Sequence, residues 1–123
     1  MEIEMVTGRI AQNLEHLKRF TSTPDAGCTR LPFTKETRDA VDYLRKEMEE
    51  IGLEVKEDAA GNIYGILRGT DSSLPCVMTG SHIDSVLHGG NYDGIAGVVC
   101  SLEVARQIVE MGLEHKRDLV VIG

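Results

Sequence analysis

The sequence lacks tryptophan and is poor in aromatic residues, at 4%, and in cysteine, at three residues. It also has few basic residues, with 13 lysines and arginines against 20 aspartates and glutamates, giving a formal net charge of -7. Nucleic acids and anionic membrane surfaces are bound by clustered lysine and arginine, and no such cluster is present. The composition therefore predicts neither a nucleic-acid partner nor a membrane partner.

The cysteines Cys28, Cys76 and Cys100 are odd in number and widely spaced, which excludes a Cys-x-x-Cys metal pair and a disulfide framework. The amino terminus is acidic and carries no apolar segment of the kind found in secretion signals. No apolar run approaches the length of about 18 residues that spans a bilayer. We therefore expect reduced thiols and a cytoplasmic location.

At 123 residues and 41% hydrophobic, the chain can bury one modest core, so we expect one domain or a part of one. Apolar residues at three- and four-residue spacing predict a first amphipathic helix with a stripe running from Val6 to Phe20. A second helix is predicted at about 35 to 51. Thr34 is its expected N-cap, and Gly52 is its expected left-handed C-terminal residue.

Alternating and apolar segments predict the strands. Residues 53–58 and 62–68 read as a hairpin closed by a glycine-asparagine turn. The apolar run 75–80, bounded by proline and glycine, is typical of a central strand covered on both faces. The overall pattern predicts an α/β fold.

The last third of the chain predicts a βαβ unit. From Asp93 a largely buried helix follows, with one polar stripe formed by Glu103, Arg106, Gln107 and Glu110. Residues 118–122 then begin another buried strand. The two strands flanking this helix are expected to be parallel.

A polar segment lies between the strand at 75–80 and that helix. It reads Gly80-Ser81-His82-Ile83-Asp84-Ser85 and, after a short loop, Gly89-Gly90-Asn91-Tyr92-Asp93-Gly94. In extended geometry His82 and Asp84 leave from one face, so Asp84 can accept the second ring N–H of His82. A histidine and an unpaired carboxylate suit a divalent metal such as zinc. The segment is therefore a candidate metal site.

Each of these residues also has an ordinary structural interpretation. A lone His-x-Asp is common, and Asp93 is equally suited to the start of a helix. A Ser-His-Asp triad is disfavoured because Ser85 is expected to point away from the His82 face. His88 lies within reach of the same ion but also reads as a solvated loop histidine.

The polar segment resembles the metal-binding segment of the M20 family of zinc peptidases, in particular its hydantoinase/carbamoylase branch. Three further pieces agree in order: Thr29-Arg30-Leu31, Gly52-Leu53-Glu54-Val55 and Asp58-Ala59-Ala60-Gly61-Asn62. The resemblance covers nearly the whole chain. It implies a zinc-peptidase-like mixed sheet flanked by helices, truncated after a central strand.

That branch contains N-carbamoyl-L-amino acid hydrolases, allantoate amidohydrolases and β-ureidopropionases, which cleave ureido or amide C–N bonds of small molecules at a two-metal centre. The resemblance implies that His82 ligates one ion, that Asp93 bridges both, and that Asp84 is a catalytic residue that orients His82. Zinc is the expected metal, with manganese, cobalt or nickel as alternatives. A cis peptide bond at Asp93-Gly94 is also implied.

In the family, a glutamate pair, two further histidines and the lid and dimerisation domain follow the strand that ends here at Gly123. Residues 1–123 are thus expected to form the N-terminal part of the metal-binding catalytic domain and to be inactive alone. The last strand is expected to expose an apolar edge that favours self-association. The alternatives are an M20 aminopeptidase or dipeptidase fragment and a non-catalytic binding or assembly module.

Overall fold

The computed structural model describes residues 7–123, and within them the chain forms three helices and four strands. In chain order these are α1 Thr7–Leu17, α2 Lys35–Ile51, β1 Glu54–Glu57, β2 Ile63–Leu67, β3 Val77–Gly80, α3 Ile95–Glu110 and β4 Leu119–Ile122. The predicted α/β class is confirmed. Val6, expected to open the first apolar stripe, lies outside the described residues. No helix among the described residues is long and apolar enough to cross a membrane.

Helix α2 begins and ends as its sequence predicts. The Thr34 side chain accepts a hydrogen bond from the Thr37 N–H. At the other end Gly52 adopts φ 96°, and the Leu53 N–H donates to the Met48 carbonyl over 3.0 Å. These contacts satisfy main-chain groups that a helix end otherwise leaves unpaired.

Helix α1 is shorter than its apolar stripe. It ends at Leu17, and the Phe20 N–H then bonds to the Leu17 carbonyl at 3.1 Å, which tightens the last turn. Phe20 still packs against the core, with its ring 6.1 Å from that of Tyr43. The periodic stripe therefore continues past the end of the regular helix.

The sheet is mixed, with strand order β1-β2-β4-β3. β1 pairs with β2 and β2 with β4 in antiparallel fashion, whereas β3 and β4 are parallel, as expected for the βαβ unit. α2 packs on β1 and β2, α3 packs on β3 and β4, and the two helices touch, so both cover the same face of the sheet.

Two strand predictions are wrong in position. β3, expected to be central, is an edge strand in which Val77 and Met78 are about half exposed. β4, expected to lie at an open edge, is paired on both sides, and Leu119, Val120 and Val121 are buried. A short apolar run predicts a strand but carries no information about its neighbours, which are set by the crossover and by β2.

The predicted polar stripe of α3 is also wrong in part. Glu103 is buried and accepts hydrogen bonds from Arg9 of α1 at 2.6 and 3.2 Å, and Arg106 pairs with Glu47 of α2 at 2.9 Å. Val104, in contrast, is 51% exposed. Glu103 and Arg106 therefore face the neighbouring helices α1 and α2, because each charge forms an ion pair with a residue of that helix.

Asp118 anchors the loop before β3 to the start of β4. Its carboxylate accepts hydrogen bonds from the Gly69 N–H and the Ser72 hydroxyl, each at 2.8 Å, and from Arg68 at 2.7 Å. The backbone N–H of Gly69, followed by Arg68 and Ser72, lowers the pKa of Asp118 to about 2. The ionised carboxylate is thus the form that the fold stabilises.

Replacing Asp118 with asparagine is expected to flatten the acid dependence of stability. An aspartate in the unfolded chain titrates near pH 3.9, so Asp118 stabilises the fold above about pH 4, and this contribution is lost as the pH falls toward 2. Urea unfolding at a series of pH values measures the slope. Asp71→Asn, in the same loop, is the control for the loss of one carboxylate. An unchanged slope in Asp118→Asn would contradict the prediction.

Candidate metal centre

The loop of residues 81–94 begins at the carboxyl end of β3 and ends where α3 starts. Gly80 pairs with Ile122 of β4, and the Ser81 N–H donates to the Ile122 carbonyl at 3.3 Å. Because β3 and β4 are parallel, their carboxyl ends meet at the same edge of the sheet, where α/β proteins place their binding sites. The pairing of β3 with β4 thus places the polar segment at such an edge.

The imidazole of His82 lies between the two aspartates of the segment. Its Nδ1 is 2.9 Å from the main-chain carbonyl oxygen of Asp84 and 3.4 Å from the Asp84 carboxylate. Its Nε2 is 3.4 Å from the Asp93 carboxylate. When Nδ1 carries the ring proton it donates to the Asp84 carbonyl, and the lone pair of Nε2 then faces Asp93.

The shorter of the two Asp84 contacts is made by the main chain. The expectation from the sequence is that the Asp84 side chain accepts the ring N–H, but the carbonyl of the same residue is 0.5 Å closer to Nδ1 than the carboxylate is. Asp84 therefore reaches His82 through two groups. Its assignment as a catalytic residue stays a prediction.

The gap between His82 and Asp93 suits a shared ion better than a direct contact. At 3.4 Å it exceeds the usual length of a charged hydrogen bond, about 2.7–2.9 Å. Two ligands of one tetrahedral zinc ion, with bonds of about 2.0–2.2 Å, lie about 3.3–3.5 Å apart. The side chains of His82 and Asp93 are 48% and 84% exposed, so water and other ligands have access. The donor pair fits zinc.

This pair is only part of a complete site. Among residues 7–123, no group of three or more histidine, cysteine, aspartate and glutamate side chains is arranged to hold a metal ion. A structural zinc site usually has four protein ligands and a catalytic one usually has three.

The absence of a side chain at Gly94 leaves the space that the His82 ring occupies. The glycine has φ 73°, and a Cβ added to it would overlap the imidazole of His82. It also precedes the first residue of α3 and makes no side-chain cap. The sequence suggested a cis bond between Asp93 and Gly94, but every peptide bond of residues 7–123 is trans. The close approach therefore depends on a positive φ angle in a trans chain.

The other candidate side chains are engaged elsewhere. His88 Nδ1 lies 2.7 Å from the Ala26 carbonyl, which ties this histidine to the preceding loop. The Ser85 hydroxyl accepts from the Arg30 N–H and donates to the Cys28 carbonyl, both at 2.8 Å. Ser85 therefore holds two loops together and does not act as a nucleophile activated by His82.

An open cavity of about 870 Å³ lies beside the loop, and His82 and Asp84 line it. The turn of the β1–β2 hairpin contributes Asn62, and the first turns of α2 contribute Thr37 and Arg38. In the sequence, the Asp58–Asn62 segment is recognisable as a hairpin turn and as a family motif, and neither signal indicates that it lies beside His82. Its placement beside His82 depends on the pairing of β2 with β4, which no local signal reveals.

Known proteins resemble this chain over most of its length. An N-carbamoyl-L-amino-acid amidohydrolase of Paenarthrobacter aurescens is 48% identical over 94% of this chain and 28% of its own length. Allantoate amidohydrolase of Bacillus subtilis (strain 168) is 41% identical over 96% of this chain and 29% of its own length. The chain thus spans less than a third of the curated relatives it matches.

A solved structure agrees with the fold. The crystal structure of an amidase of the hydantoinase/carbamoylase family from Burkholderia vietnamiensis matches 98% of this chain and 29% of its own chain, with a TM-score of 0.93 and 31% identity. This match confirms the expected mixed sheet flanked by helices. It also confirms the hydantoinase/carbamoylase resemblance that the motifs indicated.

The family model that matches the chain is the one described as Peptidase family M28, over residues 62–123. The matched half contains β2, β3, α3 and β4 together with the whole His82–Asp93 loop. The motifs suggested peptidase family M20, whereas the matching family model is that of family M28. On this match the chain belongs to peptidase family M28.

Proposed function

We propose that this chain is the N-terminal portion of a metal-dependent amidohydrolase that cleaves the C–N bond of N-carbamoyl amino acids, allantoate or related ureido compounds. The names of the curated relatives support this substrate class. Their greater length supports the view that residues 1–123 are the N-terminal part of the catalytic domain. The observation that carries the proposal is the His82–Asp93 gap, which has the spacing of two ligands to one ion.

In this proposal His82 Nε2 and the Asp93 carboxylate hold a divalent ion, with zinc first and manganese, cobalt or nickel as alternatives. Such an ion supplies Lewis acidity toward a carbonyl oxygen and lowers the pKa of a bound water. Asp84 is the residue that keeps the His82 ring oriented, through its carbonyl and its carboxylate. The adjoining cavity offers room for a small ureido substrate.

Peptide hydrolysis is the second candidate function, because the matching family model is that of a peptidase family. The M20 label belongs here as a finer proposal, supported by the Gly80–Ser85 and Gly89–Gly94 motifs. Turnover of N-carbamoyl amino acids compared with dipeptides, by a protein of the length of its curated relatives, separates the two functions. We expect the 123-residue chain to turn over neither, since two protein ligands hold a metal weakly.

Replacing His82 or Asp93 with alanine is expected to abolish detectable zinc binding by the 123-residue chain. Each change removes one of the two donors that the structure brings together. Isothermal titration with Zn²⁺, supported by melting temperatures with and without zinc and EDTA, measures the effect. His115→Ala is the control, because the His115 ring contacts the Arg117 carbonyl of its own loop, at 2.7 Å, and belongs to no part of the candidate metal site.

Equal zinc affinity in the His82→Ala, Asp93→Ala and His115→Ala variants would contradict this ligand assignment. A wild-type melting temperature that responds to neither zinc nor EDTA would favour the non-catalytic binding or assembly module instead.

We also propose that the chain self-associates through an edge of the sheet, with a second copy as the partner. The edge in question is β3, where Val77 and Met78 are about half exposed, and not β4 as the sequence suggested. An unpaired edge presents N–H and C=O groups that a second strand can pair with.

Light scattering at high protein concentration tests this association. Met78→Lys is expected to shift the protein toward monomer, because a charge on an edge strand opposes pairing. Met111→Lys, at an exposed methionine beyond α3, is the control. A strictly monomeric wild-type chain would contradict the proposal.

We keep the cytoplasmic location as a proposal. It is supported by the three cysteines, all of which are free thiols in the structure. The expectation of no nucleic-acid and no membrane partner likewise stays a prediction from the net charge.

A further inference from the structure

Arg30 is a buried arginine that none of the proposed site roles uses. It is 3% exposed, and among the described residues no carboxylate forms an ion pair with it. Its side chain donates instead to three main-chain carbonyls, those of Leu17 and Phe20 at 3.0 Å and that of Ile83 at 2.9 Å. A desolvated guanidinium is costly, so its placement calls for a structural account.

One side of the guanidinium is anchored at the end of α1. Leu17 is the last residue of that helix, and its carbonyl, which also accepts the Phe20 N–H at 3.1 Å, lies at the negative end of the helix dipole. A cation at this position is favourable. The carbonyls of Leu17 and Phe20 at this helix end therefore hold the guanidinium of Arg30 in a fixed position.

The other side of Arg30 reaches the candidate metal loop. The Ile83 carbonyl that Nε contacts belongs to the residue between His82 and Asp84. The main chain of Arg30 also forms two hydrogen bonds with Ser85. The Ser85 N–H donates to the Arg30 carbonyl, and the Arg30 N–H donates to the Ser85 hydroxyl, both at 2.8 Å. Both neighbours of Asp84 are thus tied to one residue.

The hydrogen bonds of Arg30 to Ile83 and to Ser85, on either side of Asp84, fix the direction of the Asp84 carbonyl. This carbonyl is the group 2.9 Å from His82 Nδ1. With Nδ1 held there, Nε2 stays turned toward Asp93. A histidine ligand is oriented by the hydrogen bond that its other nitrogen makes.

We propose that Arg30 is a positioning residue of the metal site, acting through the Asp84 carbonyl on the orientation of His82. This inference rests on the proposed function, in which His82 and Asp93 are metal ligands. Lysine should not replace Arg30, because a single ammonium lacks the planar fork that meets carbonyls on two sides.

The test compares zinc binding with stability in Arg30→Met and Arg30→Lys. The control is Arg106→Met, which removes a partly buried arginine of α3 that is paired with Glu47 of α2 and makes no contact with residues 81–94 in the ion pairs and hydrogen bonds of the described residues. We expect both Arg30 variants to bind Zn²⁺ at least about tenfold more weakly, as for other residues that orient a ligand. We expect Arg106→Met to lose melting temperature without losing zinc affinity. Wild-type zinc affinity in a folded Arg30→Lys variant would overturn the proposal, even if Arg30→Met does not fold.

Hydrogen exchange separates failure of this inference from failure of the metal proposal. In the absence of zinc, the Ser85 amide of Arg30→Lys is expected to exchange at least about tenfold faster than in wild type, while amides of α2 are unchanged. If wild type binds no zinc and this acceleration is seen, the metal assignment fails and Arg30 still positions the loop. An unchanged Ser85 exchange rate would show that Arg30 does not hold the loop.

Discussion

Replacing Gly94 with alanine is expected to lower the free energy of unfolding by about 2–6 kcal/mol and to weaken zinc binding at least about tenfold. Two costs add at this position. The residue has φ 73°, which an alanine adopts only with strain, and the new methyl group would overlap the imidazole of His82. The ring can relieve the overlap only by leaving its place between Asp84 and Asp93.

The matched control is Gly112→Ala at the other end of α3. Gly112 has φ 60°, but no atom lies within 4 Å of the position of an added Cβ. This variant therefore carries the backbone strain without the steric overlap. Urea unfolding and zinc titration of both variants isolate the contribution of the His82 contact. Equal loss of stability, with zinc affinity kept in both, would contradict the assignment of Gly94.

Replacing Gly80 with alanine is expected to destabilise the chain by about 2–4 kcal/mol and to disturb the candidate site from the sheet side. The added Cβ would overlap the Ile122 carbonyl of β4. That carbonyl accepts the Ser81 N–H at 3.3 Å, the last β3–β4 contact before His82. A backbone carbonyl cannot rotate away as a side chain can, so the strands must separate locally.

Gly8→Ala is the control for this change, because an alanine in α1 meets no atom within 4 Å and favours the helix. Denaturation midpoints compare the two variants, and exchange of the Ser81 amide reports the local opening. A Gly80→Ala variant as stable as Gly8→Ala, with Ser81 still protected, would show that β4 adjusts without cost.

The sequence predicted those features that depend on neighbours close in the chain. The ends of α2 follow from Thr34 and Gly52, because capping needs only residues within one turn. The parallel pairing of β3 with β4 followed from the length and apolar pattern of the segment between them. The His82 and Asp93 candidates were found because their spacing and the glycines around them form one short motif.

Contacts between segments that are distant in the chain could not be predicted from local sequence patterns. Nothing near Glu103 indicates that Arg9, 94 positions away, makes it a buried residue. Nothing near Arg30 indicates that its side chain contacts Ile83, 53 positions further on. An isolated charged residue is predicted to be exposed until its partner is known, because burial becomes favourable only when the charge is satisfied.

By itself, the sequence determined the ends of α2, the strand segments and the chemical identity of the candidate ligands, since hydrophobic periodicity and capping act over a few residues. Only the tertiary structure decided that β4 lies inside the sheet and β3 at its edge, and that the Asp84 carbonyl makes the closer contact with His82. These outcomes depend on which segments meet in space. Residues as far apart as Arg30 and Ile83 become neighbours only when the chain packs around one core.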